Sequence, residues 1–177
     1  MNKPEIITFS GKARHGKDSS VQILKQLLEE QGKRVLAINY ADYLKYLAKT
    51  YFGWDGNKDE KGRTILQQLG TEKVRTKFPN YWVDTVVGIV KAFESDFDYI
   101  LIGDCRFLNE IDRWKEEGYE IMSLHVERLN FDNGLTEKQK NHPSETALDE
   151  YKFSGYIKAE NLKVLKNEIE QVYGGLL

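Results

Sequence analysis

A single cysteine, Cys105, leaves no partner for an internal disulfide. That fits a reducing compartment and reads the thiol as a small buried apolar group rather than a reagent. The three histidines, His15, His125 and His142, lie far apart and make no zinc-ligand spacing. Neither sign of charge dominates: 26 Lys and Arg against 28 Asp and Glu give a net charge of −2. General attraction to nucleic acid or to a membrane surface is therefore not expected, and a polyanionic ligand has to be met by local positive charge. No stretch is long and apolar enough to span a bilayer, and the segment from Met1 to Glu5 lacks the apolar run of a signal peptide. Internal repeats, low-complexity tracts and interdomain linkers are also missing. The expectation is a cytoplasmic protein with no nucleic-acid or membrane partner.

What is present is an ordinary soluble balance, 40% hydrophobic and 31% charged over 177 residues, which predicts one domain with a proper core. Short apolar runs at residues 6–9, 35–38, 99–102 and 121–126 read as buried strands, with a weaker one near 153–157. Helical spacing separates most of them. Val21, Leu24 and Leu28 form one stripe that Gly32 stops; Phe107, Ile111 and Trp114 form another that ends by Gly118; Leu162, Leu165, Ile169 and Val172 form the last. Leu44, Leu47, Ala48 and Tyr51 make a stripe inside a longer, mostly helical segment. Strand–helix alternation predicts a three-layer α/β fold, a parallel sheet of about five strands with helices on both faces. Ligands in such sheets sit beyond the C-terminal strand ends, which here gather residues 10–17, 39–42, 103–106 and 127–128 on one rim. The alternation breaks twice, at a helical insertion of about 41–96 and a polar, turn-rich lid of about 129–145. The core is then about 1–40, 97–128 and 146–177.

The first rim segment carries the strongest signal. Gly11-Lys12-Ala13-Arg14-His15-Gly16-Lys17-Asp18-Ser19-Ser20 follows an apolar strand and opens a helix. Glycine, four residues, glycine and lysine is the spacing of a phosphate-binding loop. Its glycines let successive N–H groups turn toward one anion, the helix start adds positive potential, and Lys17 supplies a charge for the outer phosphates. The implied ligand is a nucleoside triphosphate, and the expected fold is that of P-loop NTPases. Asp18 stands where Ser or Thr usually follows the lysine, so Ser19 becomes the candidate phosphate or magnesium contact.

Asp104 and Arg106 end the apolar run 100–102. A carboxylate there can orient Mg2+, usually through water, and an arginine can reach phosphate oxygens. The plainer alternative is that Asp104 caps the following helix and Arg106 pairs with Glu110 one turn on. In the insertion, Arg63 and Arg75 offer bidentate phosphate recognition, Gln67 an amide for a base edge, and Tyr81 or Trp82 an aromatic face. An amphipathic helix with solvated arginines is the bland reading of the same residues. Arg128, after the fourth strand, can close over phosphates; Lys138 and Lys140 in the lid read as solvated.

Taken in order, Gly11 to Ser19, Tyr40-Ala41-Asp42-Tyr43-Leu44-Lys45, Gly62-Arg63 through Gln67 to Glu72 and Arg75, Trp82, and Asp104 to Glu110 resemble the bacteriophage deoxynucleoside monophosphate kinases. The resemblance spans nearly the whole chain and is thinnest in the last third, where Asn141 to Glu145 is only suggestive. It implies a P-loop kinase fold with an acceptor-binding insertion, and transfer of a phosphoryl group from ATP, with Mg2+, to a deoxynucleoside monophosphate. By that similarity Gly11, Gly16, Lys17 and Ser19 hold ATP. Asp42, Arg63, Arg75 and Trp82 lie on the acceptor side, joined by Gln67 from the residue reading. Asp104 and Arg106 lie between. Lys17, Asp104, Arg106 and Arg128 are then the catalytic candidates, and Ser19 and Asp104 the metal candidates. The resemblance leaves a homodimer open, and a phage-encoded chain would work in the host cytoplasm. Two rivals stand beside it: a P-loop kinase of another phosphorylated acceptor, such as dephospho-coenzyme A or phosphomevalonate, and a nucleotide-binding protein without catalysis.

Overall fold

A computed structural model describes residues 3–175. Met1 and Asn2, part of the leader reading, and residues 176–177 of the expected core lie outside them. Five strands form one sheet: β1 (Glu5–Ser10), β2 (Val35–Ile38), β3 (Tyr99–Ile102), β4 (Ile121–Arg128) and β5 (Gly155–Ala159). Their spatial order is β2-β3-β1-β4-β5, and every pairing is parallel, for example Ile7 beside both Leu101 and Met122. All five C-terminal ends therefore meet on one rim. The last strand begins two residues later than its apolar pattern predicts, because Phe153 leaves the ladder to pack with Tyr151 and His125.

Period-two alternation divides the core between the two faces. Ile7, Phe9 and Leu101 point to the face covered by α1 (Lys17–Glu30) and α8 (Leu162–Gly174), through Val21, Leu24, Leu28, Leu165 and Ile169. Ile6, Ile100 and Ile102 point to the other face. There they meet α2 (Ala41–Tyr51), α4 (Tyr81–Ala92) and α5 (Asn109–Glu116). Each fully buried Ile or Leu contributes about 1.5–3 kcal/mol by leaving water. The architecture is the three-layer α/β arrangement expected from the sequence.

The crossover from β2 to β3 holds α2, α3 (Glu60–Gln67), a π-helical stretch (Gln68–Arg75), α4 and a short 3-10 turn. The wider π turns were not legible from spacing. Within the π-helical stretch the Gly70 carbonyl accepts from Trp82 Nε1 at 2.9 Å, which pins α4 to it. Between β4 and β5 lie α6 (Glu137–Lys140) and α7 (Pro143–Thr146). Thr136 and Gln139 cap α6 reciprocally, and His142 Nδ1 accepts from Ser144 N at the start of α7. Lys140 pairs with Glu137, and Lys138 is exposed. Among the described residues no helix is long and apolar enough to cross a membrane.

Candidate active site

Residues 11–16 leave β1 at the rim and turn back into α1. Gly11 has φ +135°, and a Cβ on it would lie 2.2 Å from the Val126 carbonyl oxygen, so the loop crosses β4 where only glycine fits. Gly16 enters α1 at φ +97°, and Arg14 takes a left-handed φ of +65°. Lys17 closes the loop from inside. Its Nζ donates to the carbonyls of Gly11 and Lys12, both at 2.8 Å. Burial pushes its ammonium down to about 7, with Arg106 adding to the effect and Glu145, Asp18 and Asp104 opposing it. A poorly solvated cation at a helix start is built to gain from an arriving polyanion.

The loop forms one wall of a cleft of about 650 Å³. Arg14, Lys17 and Asp18 stand on that wall; Arg63, Gln67, Arg75 and Trp82 stand on the wall from the β2–β3 crossover; Asp104, Arg106 and Glu145 lie between. Most of the residues singled out in the sequence are thus brought to one space of ligand size. Arg63 donates Nε to the Lys58 carbonyl at 3.0 Å and has no carboxylate partner among the described residues. Burial first, then the nearby Arg14 and Arg106, lower its pKa, which marks three guanidinium groups sharing one region. Arg75 is fixed by Glu110, at 2.5 Å, and by Asn109 at 3.0 Å, with its guanidinium 3.9 Å above the Phe107 ring. Trp82 is 3% exposed, its N–H spent on Gly70, so its ring can offer only an apolar edge.

Other residues are placed differently from their sequence reading. Asp104 caps neither the following helix nor stands free: both oxygens accept backbone N–H groups, Tyr40 at 2.9 Å and Ala41 at 3.0 Å, at the start of α2. Burial raises its pKa while those two bonds lower it. The side-chain pair of Arg106 with Glu110, considered from their four-residue spacing, does not form. Glu110 Oε2 instead accepts the Arg106 backbone N–H at 2.7 Å, and the Arg106 guanidinium reaches Glu145 and the Ser144 carbonyl. Asp42 lies off the cleft wall, accepting from Asn39 N at 3.0 Å and pairing with Lys45 at 2.9 Å. Lys12 turns away to Asp149. Ser19 and Ser20 do not line the cleft, Ser20 Oγ donating back to Gly16 O at 3.0 Å, whereas Asp18 does line it. Arg128 sits outside the cleft wall, 4.0 Å over the Phe131 ring, and its backbone N–H donates to His15 Nδ1 at 3.2 Å.

The residue that sequence reasoning underused is Glu145. Its carboxylate accepts from the loop amide of Ala13 at 3.0 Å and from Arg106, and its side chain is 6% exposed. Only its place after a His-Pro turn marked it in the sequence, and spacing gives no link between residues so far apart. As for a metal, no group of three or more His, Cys, Asp or Glu side chains able to hold one lies among the described residues. Asp18 and Asp104 both reach the cleft, with Asp18 beside Gly103. Asp18 on the loop side and Asp104 just past β3 put two carboxylates on one cleft, a donor set that suits Mg2+, which keeps several waters and takes ligand phosphates for its remaining positions.

No protein-family model matches the chain, and no curated protein matches its sequence. Solved structures match its fold. The crystal structure of APE1195 is 13% identical with a TM-score of 0.55, over 99% of this chain and 96% of that one. The Mycobacterium tuberculosis APS kinase CysC in complex with AMPPNP and APS is 11% identical with a TM-score of 0.52, over 97% of each chain. A Cys556Ala mutant of the same enzyme is 11% identical with a TM-score of 0.51, over 98% of this chain and 99% of that one. At this identity the likeness establishes the shared α/β fold, carried across the whole chain.

Proposed function

We propose that the protein is a P-loop kinase that transfers the γ-phosphoryl group of ATP to a deoxynucleoside 5′-monophosphate, releasing ADP. The observation that carries this reading is the facing of two cationic walls across one cleft: buried Lys17 in its loop on one side, Arg63 and Arg75 on the other, Arg106 between them. A transfer between two phosphate-bearing substrates needs fixed positive charge on both sides, whereas a protein that merely holds ATP needs only the first. Gln67 and the apolar edge of Trp82 favour a nucleobase on the acceptor over a purely aliphatic tail. A neighbour in fold was solved with AMPPNP and APS bound, which supports a two-ligand cleft here. The choice of deoxyribose rests on the sequence resemblance.

The chemistry then follows from charge and alignment. An oxygen of the acceptor phosphate forms a bond to the γ-phosphorus as the bond from that phosphorus to the β-bridging oxygen breaks, and ADP carries away the electron pair. The attacking oxygen is already anionic, so no strong general base is needed. Loop N–H groups and Lys17 stabilise the charge that builds on the phosphoryl oxygens. Arg106 faces the middle of the cleft, where the moving group passes, while Arg63 and Arg75 hold the acceptor phosphate. Asp18 and Asp104 would be the nearby carboxylates for Mg2+ arriving with the triphosphate, and the ion would supply further charge neutralisation there. The segment 129–145 with Arg128 at its start forms the lid, which excludes water that competes as acceptor.

The test is an ADP-release assay with ATP and Mg2+ over every common ribo- and deoxyribonucleoside monophosphate, with APS, dephospho-coenzyme A and phosphomevalonate alongside. The reading expects turnover with one or more deoxynucleotides, and Arg63→Ala raising KM for the monophosphate well above its effect on ATP. Turnover only of acceptors other than deoxynucleoside monophosphates, or of none, refutes it.

A further inference from the structure

Glu110 is the most deeply buried acid beside the cleft, its side chain only 3% exposed. Taking a carboxylate out of water is costly unless its oxygens are fully used. Here they are used for two different ends. One oxygen accepts from Arg75 Nη2 at 2.5 Å. The other accepts from the backbone N–H of Arg106 at 2.7 Å and of Phe107 at 3.1 Å. A single side chain thus joins the acceptor wall to the segment that carries Arg106 from the rim of the sheet. The same segment supplies the Phe107 ring under the Arg75 guanidinium and the Asn109 oxygen that takes its Nη1.

The donor count of Arg75 says what this clamp leaves over. A guanidinium has five N–H donors. Glu110 takes one, and Asn109 and the Pro79 carbonyl take two more, so two have no partner among the described residues, on a group that lines the cleft. An arginine set aside for ionic stability alone would have no reason to line the cleft with donors to spare. Left untethered, a side chain this long loses rotamer freedom when it grips a ligand; held in advance, it does not.

We infer that Glu110 is a positioning residue: it fixes Arg75 for the acceptor phosphate and, through the backbone of Arg106, sets that arginine's distance from it. This rests on the functional reading above, since it presumes an acceptor that carries a phosphate.

The experiment compares Glu110→Gln, Arg75→Ala and the double variant in steady-state kinetics, with the best acceptor from the panel and with ATP varied separately. Glu110→Gln keeps the size and loses the charge. Its KM for the acceptor is expected to rise about tenfold, roughly the cost of ordering one long side chain on binding, with KM for ATP within about twofold. In the Arg75→Ala background the same change is expected to add nothing further to the acceptor KM. A role in folding alone moves both KM values and the melting temperature, and adds to the effect of Arg75→Ala. Guanidinium NMR gives a readout without turnover: slow rotation of Arg75 in the native protein, averaged in Glu110→Gln. Should Glu110→Gln unfold, Glu110→Asp is read by the same criteria, and unfolding of both overturns the positioning role. Equal effects on the two substrates overturn it while leaving the kinase reading intact. A native protein that accepts no phosphorylated substrate removes the kinase reading and this inference with it.

Discussion

On the proposed reading, the depressed pKa of Lys17 makes ATP binding a proton-uptake reaction, and its size can be worked out. In the ligand-free protein burial holds the ammonium down to about 7. A triphosphate placed against it favours the charged form and lifts the pKa well above that value. Binding above pH 7 must therefore recruit a proton. The expected uptake is about half a proton at pH 7, about 0.9 at pH 8 and nearly one at pH 9. Affinity falls correspondingly, by about fiftyfold from pH 7 to pH 9, or about 2.3 kcal/mol. Stability moves the other way. The unfolded chain keeps the Lys17 proton up to its ordinary pKa of 10.5 while the folded chain gives it up from about 7, so between these values the ligand-free fold gains stability from this group as pH rises. Isothermal titration with AMPPNP and Mg2+ in two buffers of different ionisation enthalpy counts the protons directly. Lys17→Arg, charged throughout, is the control and should show no uptake. His15 is held below the usual histidine range by burial first and then by Lys17, with Glu127 and Glu145 opposing. Uptake near zero at pH 8 in the native protein, or uptake that survives in Lys17→Arg, would refute the reasoning.

Two further outcomes follow from the geometry. Gly11→Ala should abolish ATP binding and lower the melting temperature, because the new Cβ meets the Val126 carbonyl at 2.2 Å in a backbone conformation that alanine resists; calorimetric binding and thermal unfolding together check it, and retained affinity contradicts it. Asp104→Asn should destabilise the fold by about 1–2 kcal/mol even with no Mg2+ present, since an amide offers one oxygen to the two N–H groups at the start of α2. Denaturant unfolding with and without Mg2+ measures this, and a loss seen only with the metal would show that Asp104 serves the ion alone.

How far the sequence spoke for the molecule depended on the range of each signal. Apolar runs and helical stripes are local, so the four stronger strands and the helices of the core were legible, with strand ends extended by backbone pairing. The loop at 11–17 was legible because glycine and lysine spacing encodes a local backbone path. Partnerships were not. Glu110 stands one helical turn from Arg106, which made that pair the natural guess, yet Arg75 arrives from a separate helix and takes the carboxylate at 2.5 Å. Asp104 was legible as an acid at a strand end, but which N–H groups it meets depends on where β2 delivers Tyr40. The π-helical stretch escaped for a different reason: widening a helix by a fraction of a residue per turn leaves almost no trace in hydrophobic spacing.

The tie between Ala13 and Glu145 has a consequence for how the protein comes into being. The two residues are 132 positions apart, and the strand that precedes the loop pairs only with β3 and β4. The loop therefore leaves the ribosome well before the carboxylate that it meets in the folded protein. A chain halted before Glu145 would own every residue of the glycine turn and lack the carboxylate that steadies it, so the turn takes its final form only after Glu145 has been made.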